Sequence, residues 1–343
     1  MQKPSILITG ANGEMGRGLI STLSKGNNFS IIALDLNQID SSISNLCSET
    51  ITGDILDDTL VNELNNNYNF NTIYHLAALL STKAEAEPEI AHQINVNGTI
   101  NFLNLAIKQA NKQKHTIKFF FPSSIAIYGM KSLEEKESSG AINEDSFKNP
   151  VTMYGCNKLY CENLGQYYAK KHIDSNNINQ FCIDFRSIRF PGIISSKTLP
   201  TGGTSDYLPE MLHSVAEGLP YKCFVRQNTQ IPFMTMPDAI QGIIKYMNTS
   251  KANLFKSVYN IRAFAPTAEE FRQKLLEFYP NTEISYNINN KRQIMIDGWP
   301  SDTDDQAAKN DWDWSPKHDL DHGFKDYLIP DLKLLNKSKW KKK

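Results

Sequence analysis

Short apolar runs alternate with longer stretches of helical spacing along the first 190 residues of the chain. Each run holds about four to eight mostly apolar residues and stops at a turn-forming or polar residue, which is typical of buried strands. The runs predict strands at 5–9, 30–34, 49–52, 72–76, 117–121 and 183–190. Helical spacing predicts helices over 57–66, about 88–112 and 151–171. Strands alternating with helices predict an α/β fold, a Rossmann-like doubly wound parallel sheet.

The pattern loosens after residue 190, where prolines and glycines predict a long irregular segment. Helical spacing returns near 207–217, 237–248 and 267–278. We interpret residues 1–190 plus about 236–264 as a dinucleotide-binding domain. Residues 191–235 plus about 265–330 are interpreted as a smaller, discontinuous α/β substrate lobe. No chemical role is assigned to three polar segments, which are the inserts 131–148 and 172–180 within the first domain and the basic tail 331–343.

Composition is ordinary for a soluble globular protein, with 40% hydrophobic and 21% charged residues. A net charge of −1 supplies no global field that would attract nucleic acid or a membrane surface. The five cysteines are odd in number and form no C-x-x-C pair, which argues against a zinc site or a disulfide framework. No apolar run approaches the length of a membrane span or a secretory signal. We therefore expect a cytoplasmic protein with no metal.

Glycines and an acid mark a candidate dinucleotide site. Gly10, Gly13 and Gly16 follow the first predicted strand and open a helical pattern, as a tight turn against a pyrophosphate requires. Asp35 ends the second strand, where a carboxylate can bind both hydroxyls of the adenosine ribose and repel a 2′-phosphate. No Lys or Arg follows Asp35 closely, which favours NAD over NADP. A strand-end turn residue is the alternative for Asp35.

Two residues after the third predicted strand, Asp54 and Ile55, are candidates for contact with the adenine. A plain turn explains this pair nearly as well. His75 ends a strand that looks buried, and we expect it to be a packed residue rather than a ligand.

Tyr154 and Lys158 lie four residues apart in a segment with helical spacing, so one helical face carries both a phenol and an ammonium. A neighbouring cation favours phenolate, so we expect Lys158 to lower the pKa of Tyr154 from about 10 toward neutrality. Such a tyrosine can take a proton from a substrate alcohol. Alone, the pair would more often be a surface pair, so the other motifs decide its interpretation.

The order of motifs resembles the extended short-chain dehydrogenase/reductase family. The matching pieces of the N-terminal half are TGANGEMG (9–16), HLAA (75–78), NVNGT (95–99), SSIAIYG (123–129) and the Tyr154/Lys158 pair. Later strings, RFPGII (189–194), GGTSDY (202–207), PFM (232–234) and DDQAA (304–308), are similar to the short-chain type of L-threonine 3-dehydrogenase. The two polar inserts are longer than in the relatives.

The resemblance implies oxidation of L-threonine to 2-amino-3-oxobutyrate with hydride transfer to NAD⁺. It implies that Tyr154 is the general base, that Lys158 lowers its pKa and binds the nicotinamide ribose, and that Ser124 holds the reacting oxygen. It also implies further cofactor-binding positions, namely Asn12, Met15, Leu76, Ala77, Ala78, Asn95, Pro191 and Ile193. The substrate-pocket positions that it implies are Ser81, Thr204 and Asp206. N-capping of a helix that begins near residue 207 is the alternative for Thr204 and Asp206.

Two other functions use the same motifs. A nucleotide-sugar epimerase or dehydratase would need Tyr154, Lys158 and Ser124, with Lys222 and Arg226 as possible charges for a pyrophosphate. A non-catalytic NAD-binding protein would not need the intact Ser-Tyr-Lys set. The resemblance also suggests a homodimer that packs through the helices at 88–112 and 151–171.

Overall fold

The protein is described by a computed structural model that covers residues 3–171, 182–200 and 202–340 of the 343-residue chain. The predicted insert at 172–180 lies outside the described residues. Two compact units make up the chain: Met1–Ser124 with Met153–Arg189 and Ile243–Tyr259, and Ile125–Thr152 with Phe190–Gly242 and Asn260–Lys343. Residues 125–152, which the sequence analysis grouped with the dinucleotide-binding domain, thus fall in the second unit.

The strands, in chain order, are β1 (Ser5–Thr9), β2 (Ser30–Asp35), β3 (Glu49–Thr52), β4 (Phe70–His75), β5 (Ile117–Ser124), β6 (Ala141–Ile142), β7 (Ile183–Phe190), β8 (Gly192–Ile194), β9 (Tyr221–Cys223), β10 (Phe233–Thr235), β11 (Val258–Asn260), β12 (Ile284–Tyr286) and β13 (Asp302–Thr303). The six predicted strands are all present, with ends that shift by at most three residues. The short strands after residue 190 were not predicted, because three residues are too few to show a period.

The α-helices are α1 (Glu14–Leu23), α2 (Ser41–Ser44), α3 (Asp58–Asn67), α4 (Ser81–Ala86), α5 (Pro88–His92), α6 (Gly98–Gln113), α7 (Leu133–Ser138), α8 (Met153–Lys171), α9 (Tyr207–Ala216), α10 (Met236–Asn248), α11 (Ala268–Phe278), α12 (Asn290–Asp297), α13 (Gln306–Trp312), α14 (Leu320–His322) and α15 (Ile329–Trp340). A π-helical segment, Gln93–Asn97, joins α5 to α6 and was not predicted. Helix α15 extends to Trp340, so most of the segment predicted as a basic tail is helical.

A seven-stranded sheet with the order β11-β7-β5-β4-β1-β2-β3 organises the first unit. β1 pairs in parallel with β2 on one side and with β4 on the other, and this confirms the doubly wound fold. The register aligns Thr9 with both Leu34 and His75. The residues that follow each of these, Gly10, Asp35 and Leu76, therefore come together at one edge of the sheet. This edge is the switch point where ligands bind in such folds.

Aromatic side chains fill the core between the sheet and its helices. Phe102 from α6 and Phe119 from β5 are completely buried, and Phe185 from β7 stacks on Phe119. Gly165 of α8 lies so close to the Phe185 ring that a Cβ there would be 2.1 Å from it. Helix α8, which carries Tyr154 and Lys158, therefore packs directly on the sheet.

The second unit contains three two-stranded parallel pairings, β8 with β10, β9 with β12, and β6 with β13. The pairing of β6 with β13 explains why the 131–148 insert belongs to this unit. Within the insert, Lys136 is 4% exposed and its Nζ donates to the Ile296 carbonyl at 2.9 Å. Across the described residues, no helix has both the length and the apolar character that a membrane crossing demands.

Candidate active site

The turn after β1 has two positions that only glycine fits. Gly10 has a positive φ of 66°, and a Cβ on it would lie 2.7 Å from the Ala77 amide nitrogen. A Cβ on Gly16 would lie 2.6 Å from the Gly10 carbonyl oxygen. The turn therefore packs closely against both the segment that follows β4 and the first turn of α1.

The beginning of α1 suits a diphosphate. Gly13 is the N-cap residue and contributes no side-chain capping hydrogen bond, so the amides of the first turn are not covered by a capping side chain. Amides and the helix dipole at such a terminus favour an anion. Met15, a predicted cofactor contact, is partly exposed in this turn. These residues fit the pyrophosphate of a dinucleotide.

Asp35 lies beside the glycine turn, as the register requires. Its Oδ2 accepts a hydrogen bond from the Asn12 amide at 2.9 Å, and its Oδ1 accepts one from the Asn37 amide at 3.0 Å. Each carboxylate oxygen has two lone pairs, so both retain capacity for a ribose hydroxyl. The Asn12 side chain in turn bonds to the Gln38 carbonyl and to the Asp40 amide. Asn12 thus joins the glycine turn to the 35–40 segment.

Asp54 and Ile55 have local partners in the structure. The Asp54 carboxylate accepts a hydrogen bond from the Leu56 amide at 2.9 Å, which is a turn contact. Ile55 is 8% exposed and packs against Gly98, where a Cβ would lie 2.4 Å from its Cδ1. These contacts agree with the turn alternative, and an adenine contact for the pair stays a prediction.

The buried hydroxyl of Thr9 connects β1 to the segment after β4. Thr9 Oγ1 accepts hydrogen bonds from the amides of Leu76 at 3.1 Å and Ala77 at 3.2 Å. It also lies 3.0 Å from His75 Nδ1. Burial lowers the pKa of His75 to about 3, and the Lys158 charge adds to this effect. The imidazole is therefore neutral, and its Nδ1 shares a hydrogen bond with the Thr9 hydroxyl.

Replacing Thr9 by valine is expected to lower the free energy of unfolding by about 1–3 kcal/mol, because the Ala77 amide and His75 Nδ1 lose a hydrogen-bond partner, whereas the Leu76 amide keeps the Thr9 main-chain carbonyl. Thr9→Ser keeps the hydroxyl and is expected to cost less than about 1 kcal/mol. Urea unfolding of the two variants checks this difference. Equal losses for valine and serine would show that the hydroxyl contributes no more to stability than the methyl group does.

Asn95 occupies the π-helical segment, a feature often found at functional sites. Its side chain bonds to both main-chain groups of Leu79, with Oδ1 accepting from the amide at 2.7 Å and Nδ2 donating to the carbonyl at 3.0 Å. Nδ2 also lies 3.3 Å from Asn157 Oδ1 on α8. Asn95 therefore holds the segment after β4, which contains Ala77 and Ala78, close to α8.

Lys158 and Tyr154 lie where α8 crosses the carboxyl end of β5. Lys158 Nζ donates to the Pro122 carbonyl at 2.7 Å and lies 4.5 Å above the Phe121 ring. The same nitrogen is 5.4 Å from the centroid of the Tyr154 ring. Ser124 is the last residue of β5, about 7 Å along the strand from Pro122. The structure thus brings the predicted Ser-Tyr-Lys set to one end of one strand.

Burial controls the pKa of both titratable groups in this set. Lys158 is 3% exposed, and burial lowers its pKa to about 8, although the Glu162 carboxylate opposes the shift. Burial also raises the pKa of Tyr154 above its ordinary value of 10.0. The prediction that Lys158 depresses the Tyr154 pKa is therefore wrong for the protein groups alone, because desolvation of the phenolate outweighs the attraction of the ammonium.

The other predicted pocket residues divide between the two units. Ser81 is the first residue of α4 in the first unit. Pro191, Ile193, Thr204 and Asp206 belong to the second unit. Ile193 lies in β8, and Thr204 is 1% exposed.

Asp206 is the N-cap residue of α9, as the alternative reading of the sequence required. Its side chain nevertheless makes no capping hydrogen bond, and Oδ2 instead accepts from the Gly203 amide at 2.6 Å.

Arg226 was a candidate charge for a sugar-nucleotide diphosphate. Its Nη2 bonds to Asp297 at 2.6 Å, so the guanidinium already has a carboxylate partner. Within the described ranges, no three His, Cys, Asp or Glu side chains are grouped as metal ligands would be.

Sequence reasoning missed several residues that support this site, notably Thr9, Arg17, Asp40 and Asn157. A hydroxyl directly before the first glycine was a usable signal for Thr9, whereas the other three act through contacts between distant segments.

The geometry and the motifs are those of an enzyme that uses a dinucleotide cofactor. Comparison with known proteins supports this class. The chain belongs to the NAD dependent epimerase/dehydratase family, whose model matches residues 6–261. The cofactor of the chain is NAD, as the family and its relatives imply.

Three individual proteins of this family are similar to the chain over most of its length. The chain is 32% identical to L-threonine 3-dehydrogenase, mitochondrial, of Bos taurus over 317 residues, which cover 92% of this chain and 79% of that protein. It is 33% identical to an uncharacterized epimerase/dehydratase of Staphylococcus aureus over 322 residues, or 92% of each chain. A solved structure of a monomeric L-threonine 3-dehydrogenase from a metagenome superposes with a TM-score of 0.84 at 34% identity, covering 96% of this chain and 99% of that one.

Proposed function

We propose that the protein is an L-threonine 3-dehydrogenase, which oxidises L-threonine to 2-amino-3-oxobutyrate and transfers the hydride to NAD⁺. The observation that carries the proposal is the placement of Tyr154 and Lys158 at the end of β5, on a chain whose likeness to L-threonine 3-dehydrogenases extends over more than nine-tenths of its length. The fold alone would not separate this activity from others of the family.

Tyr154 removes the proton from the 3-hydroxyl of threonine. Lys158, anchored by the Pro122 carbonyl, keeps a positive charge beside the phenol and binds the nicotinamide ribose. Ser124 hydrogen-bonds the reacting oxygen and stabilises it as negative charge develops. When bound, NAD⁺ accepts the hydride, and its positive ring adds to the field that favours phenolate.

The cofactor is held by groups at the switch point of the sheet. The glycine turn with Asn12 and Met15 binds the pyrophosphate, and Asp35 binds the adenosine ribose. Asp54 and Ile55 would contact the adenine, and the segment Leu76–Ala78, held in place by Asn95, would line the dinucleotide. Pro191 and Ile193 form part of the nicotinamide pocket.

The substrate is a small zwitterion whose two charges need partners. Asp206 balances the ammonium, and the hydroxyls of Ser81 and Thr204 donate to the carboxylate. The hydrogen bond from the Gly203 amide to Asp206 supports this assignment, because it holds the carboxylate in one orientation.

A second candidate function is a nucleotide-sugar epimerase or dehydratase; the Staphylococcus aureus relatives are named for the reaction class, epimerase/dehydratase, without a substrate. The ion pair between Arg226 and Asp297 argues against it, since the arginine is engaged elsewhere. A non-catalytic NAD-binding role leaves the Ser-Tyr-Lys set unexplained.

The decisive experiment is an NADH assay of the purified protein with L-threonine, D-threonine, L-serine and L-allo-threonine. We expect turnover with a clear preference for L-threonine, because a site that fixes the ammonium and the carboxylate also fixes where the C3 hydroxyl, hydrogen and methyl group lie. Stoichiometric NAD in the purified protein, with no NADH signal from any amino acid, would favour the epimerase instead.

The pH dependence follows from the two buried groups. Turnover requires Tyr154 to lose a proton, so kcat/KM is expected to rise through neutral pH. Lys158 supports the phenolate only while protonated, and with a pKa of about 8 it loses its charge above that pH. We therefore expect the rise to stop near pH 8 in a kcat/KM profile. Lys158→Arg keeps a positive charge at this position, since arginine titrates only above about 12. The kcat/KM of this variant should be lower than that of the parent but should continue to rise at alkaline pH. Profiles of kcat/KM against pH with the same shape for the parent and Lys158→Arg would contradict this role of Lys158.

We also propose a cytoplasmic homodimer. Exposed apolar side chains on α5 and α8, namely Ile90 (45% exposed), Tyr160 (50%) and Tyr167 (54%), suit a helical interface. None of the five cysteines forms a disulfide, and this is compatible with a reducing compartment. Light scattering that gives the mass of a single chain would exclude the dimer. The metagenome relative is named as monomeric.

A further inference from the structure

An arginine lies near the candidate ribose site although none follows Asp35 in the sequence. Arg17 is in the first half of α1, and its Nε donates to the Asn12 carbonyl at 2.8 Å. Asp35 accepts a hydrogen bond from the amide of the same Asn12 at 2.9 Å. Because both groups bond to the main chain of one residue, the Arg17 Nε and Asp35 Oδ2 lie within about 10 Å of each other.

An arginine near the ribose is the usual means of accommodating the 2′-phosphate of NADP. Here the guanidinium has a carboxylate partner, since Arg17 Nη2 lies 3.3 Å from Asp40 Oδ2. Asp40 is positioned independently of this pair. Its amide donates to Asn12 Oδ1, and its Oδ1 accepts from the Ser42 amide as the N-cap of α2.

We propose that Asp40 is a second specificity-determining residue for the cofactor, which acts by pairing with Arg17 and so withdrawing a nearby cation from the 2′ position. Asp35 repels a 2′-phosphate and binds the hydroxyl that NAD carries in its place. Asp40 neutralises the group that would otherwise attract the phosphate. The inference rests on the NAD-binding part of the proposed function and is independent of the substrate.

The size of the effect follows from the exposure of the pair. The Arg17 and Asp40 side chains are 40% and 42% exposed, and ion pairs at such sites are weak. Releasing Arg17 should therefore improve NADP⁺ binding by only about fivefold to tenfold, because solvent screening keeps its contact with the phosphate weaker than a buried charge-assisted hydrogen bond. The gain should be largest when Asp35 no longer repels the phosphate.

The test is a set of dissociation constants for NAD⁺ and NADP⁺, measured by calorimetry without substrate. Asp35→Asn is the background, and Asp40→Asn is added to it, because asparagine retains the N-cap while removing the charge. We expect the ratio of the NADP⁺ to the NAD⁺ dissociation constant to fall about fivefold to tenfold further in the double variant. Asp40→Ser, which also caps without charge, gives a second measurement if the first variant folds poorly.

Two controls make the assignment specific. Asp57→Asn removes the charge of another exposed N-cap aspartate, that of α3, and should not change the ratio in the same background. Arg17→Met added to the double variant should abolish the gain. An Asp40 effect no larger than the Asp57 effect, or a gain that survives Arg17→Met, would overturn the proposal. Retained NAD⁺ binding without threonine turnover would count against the proposed substrate only.

Discussion

Replacing Tyr154 by phenylalanine is expected to lower kcat for L-threonine oxidation by about 10³-fold, within the range that general base catalysis contributes. The phenylalanine keeps the ring, which lies 5.4 Å from Lys158 Nζ, and removes only the hydroxyl. NAD⁺ affinity should therefore stay within about twofold of the parent, since we propose that the glycine turn and Asp35 hold most of the cofactor. NADH formation gives kcat, and calorimetry gives the affinity.

Tyr160→Phe is the matched control for this variant. Tyr160 lies on the same helix, is 50% exposed and is not part of the proposed site. Its loss of a hydroxyl should leave kcat unchanged. If Tyr154→Phe turns over threonine like the parent, the general base has been assigned to the wrong residue.

Replacing Arg189 by methionine is expected to lower the free energy of unfolding by about 3–5 kcal/mol, the cost of leaving a buried charge without its partner. Arg189 Nε and Nη2 donate to the two Glu162 oxygens at 2.9 and 2.8 Å. The two side chains are only 4% and 1% exposed. Glu162 lies one turn after Lys158 on α8, so the pair also holds the catalytic helix against the end of β7.

The chain supplies a matched control with the same geometry at the surface. Arg272 makes two hydrogen bonds of 2.8 Å to Glu269, but their side chains are 23% and 32% exposed. Arg272→Met should cost less than about 1 kcal/mol, because water solvates the remaining carboxylate. Urea unfolding measures both variants. Similar losses for Arg189→Met and Arg272→Met would show that burial does not control the strength of these pairs.

A double variant separates the loss of the attraction between Arg189 and Glu162 from the cost of leaving the Glu162 charge buried without a partner. Glu162→Met combined with Arg189→Met removes both charges and should recover much of the stability lost in the single variant. No recovery would mean that Arg189 stabilises the protein through packing instead of through the neutralisation of Glu162.

The strands of the central sheet could be read from the sequence because each is a short apolar run between turn signals. The glycine turn was equally readable, since Gly10 and Gly16 are at positions where a Cβ would clash. The π-helical segment around Asn95 could not be predicted from the sequence, because one residue of extra spacing in a long helix leaves the apolar pattern almost intact. The tail was misread at 331–340, where a high lysine content hid a helix.

The sequence by itself determined the succession of strands and helices, the glycine turn and the spacing of Tyr154 and Lys158, because these depend on residues that are neighbours along the chain. Only the tertiary structure decided the environment of those groups. It partly desolvated Tyr154 so that its pKa rises, anchored Lys158 on Pro122, and brought Asp40 to Arg17. Desolvation and pairing between distant segments depend on the packed fold, and no local pattern of residues encodes them.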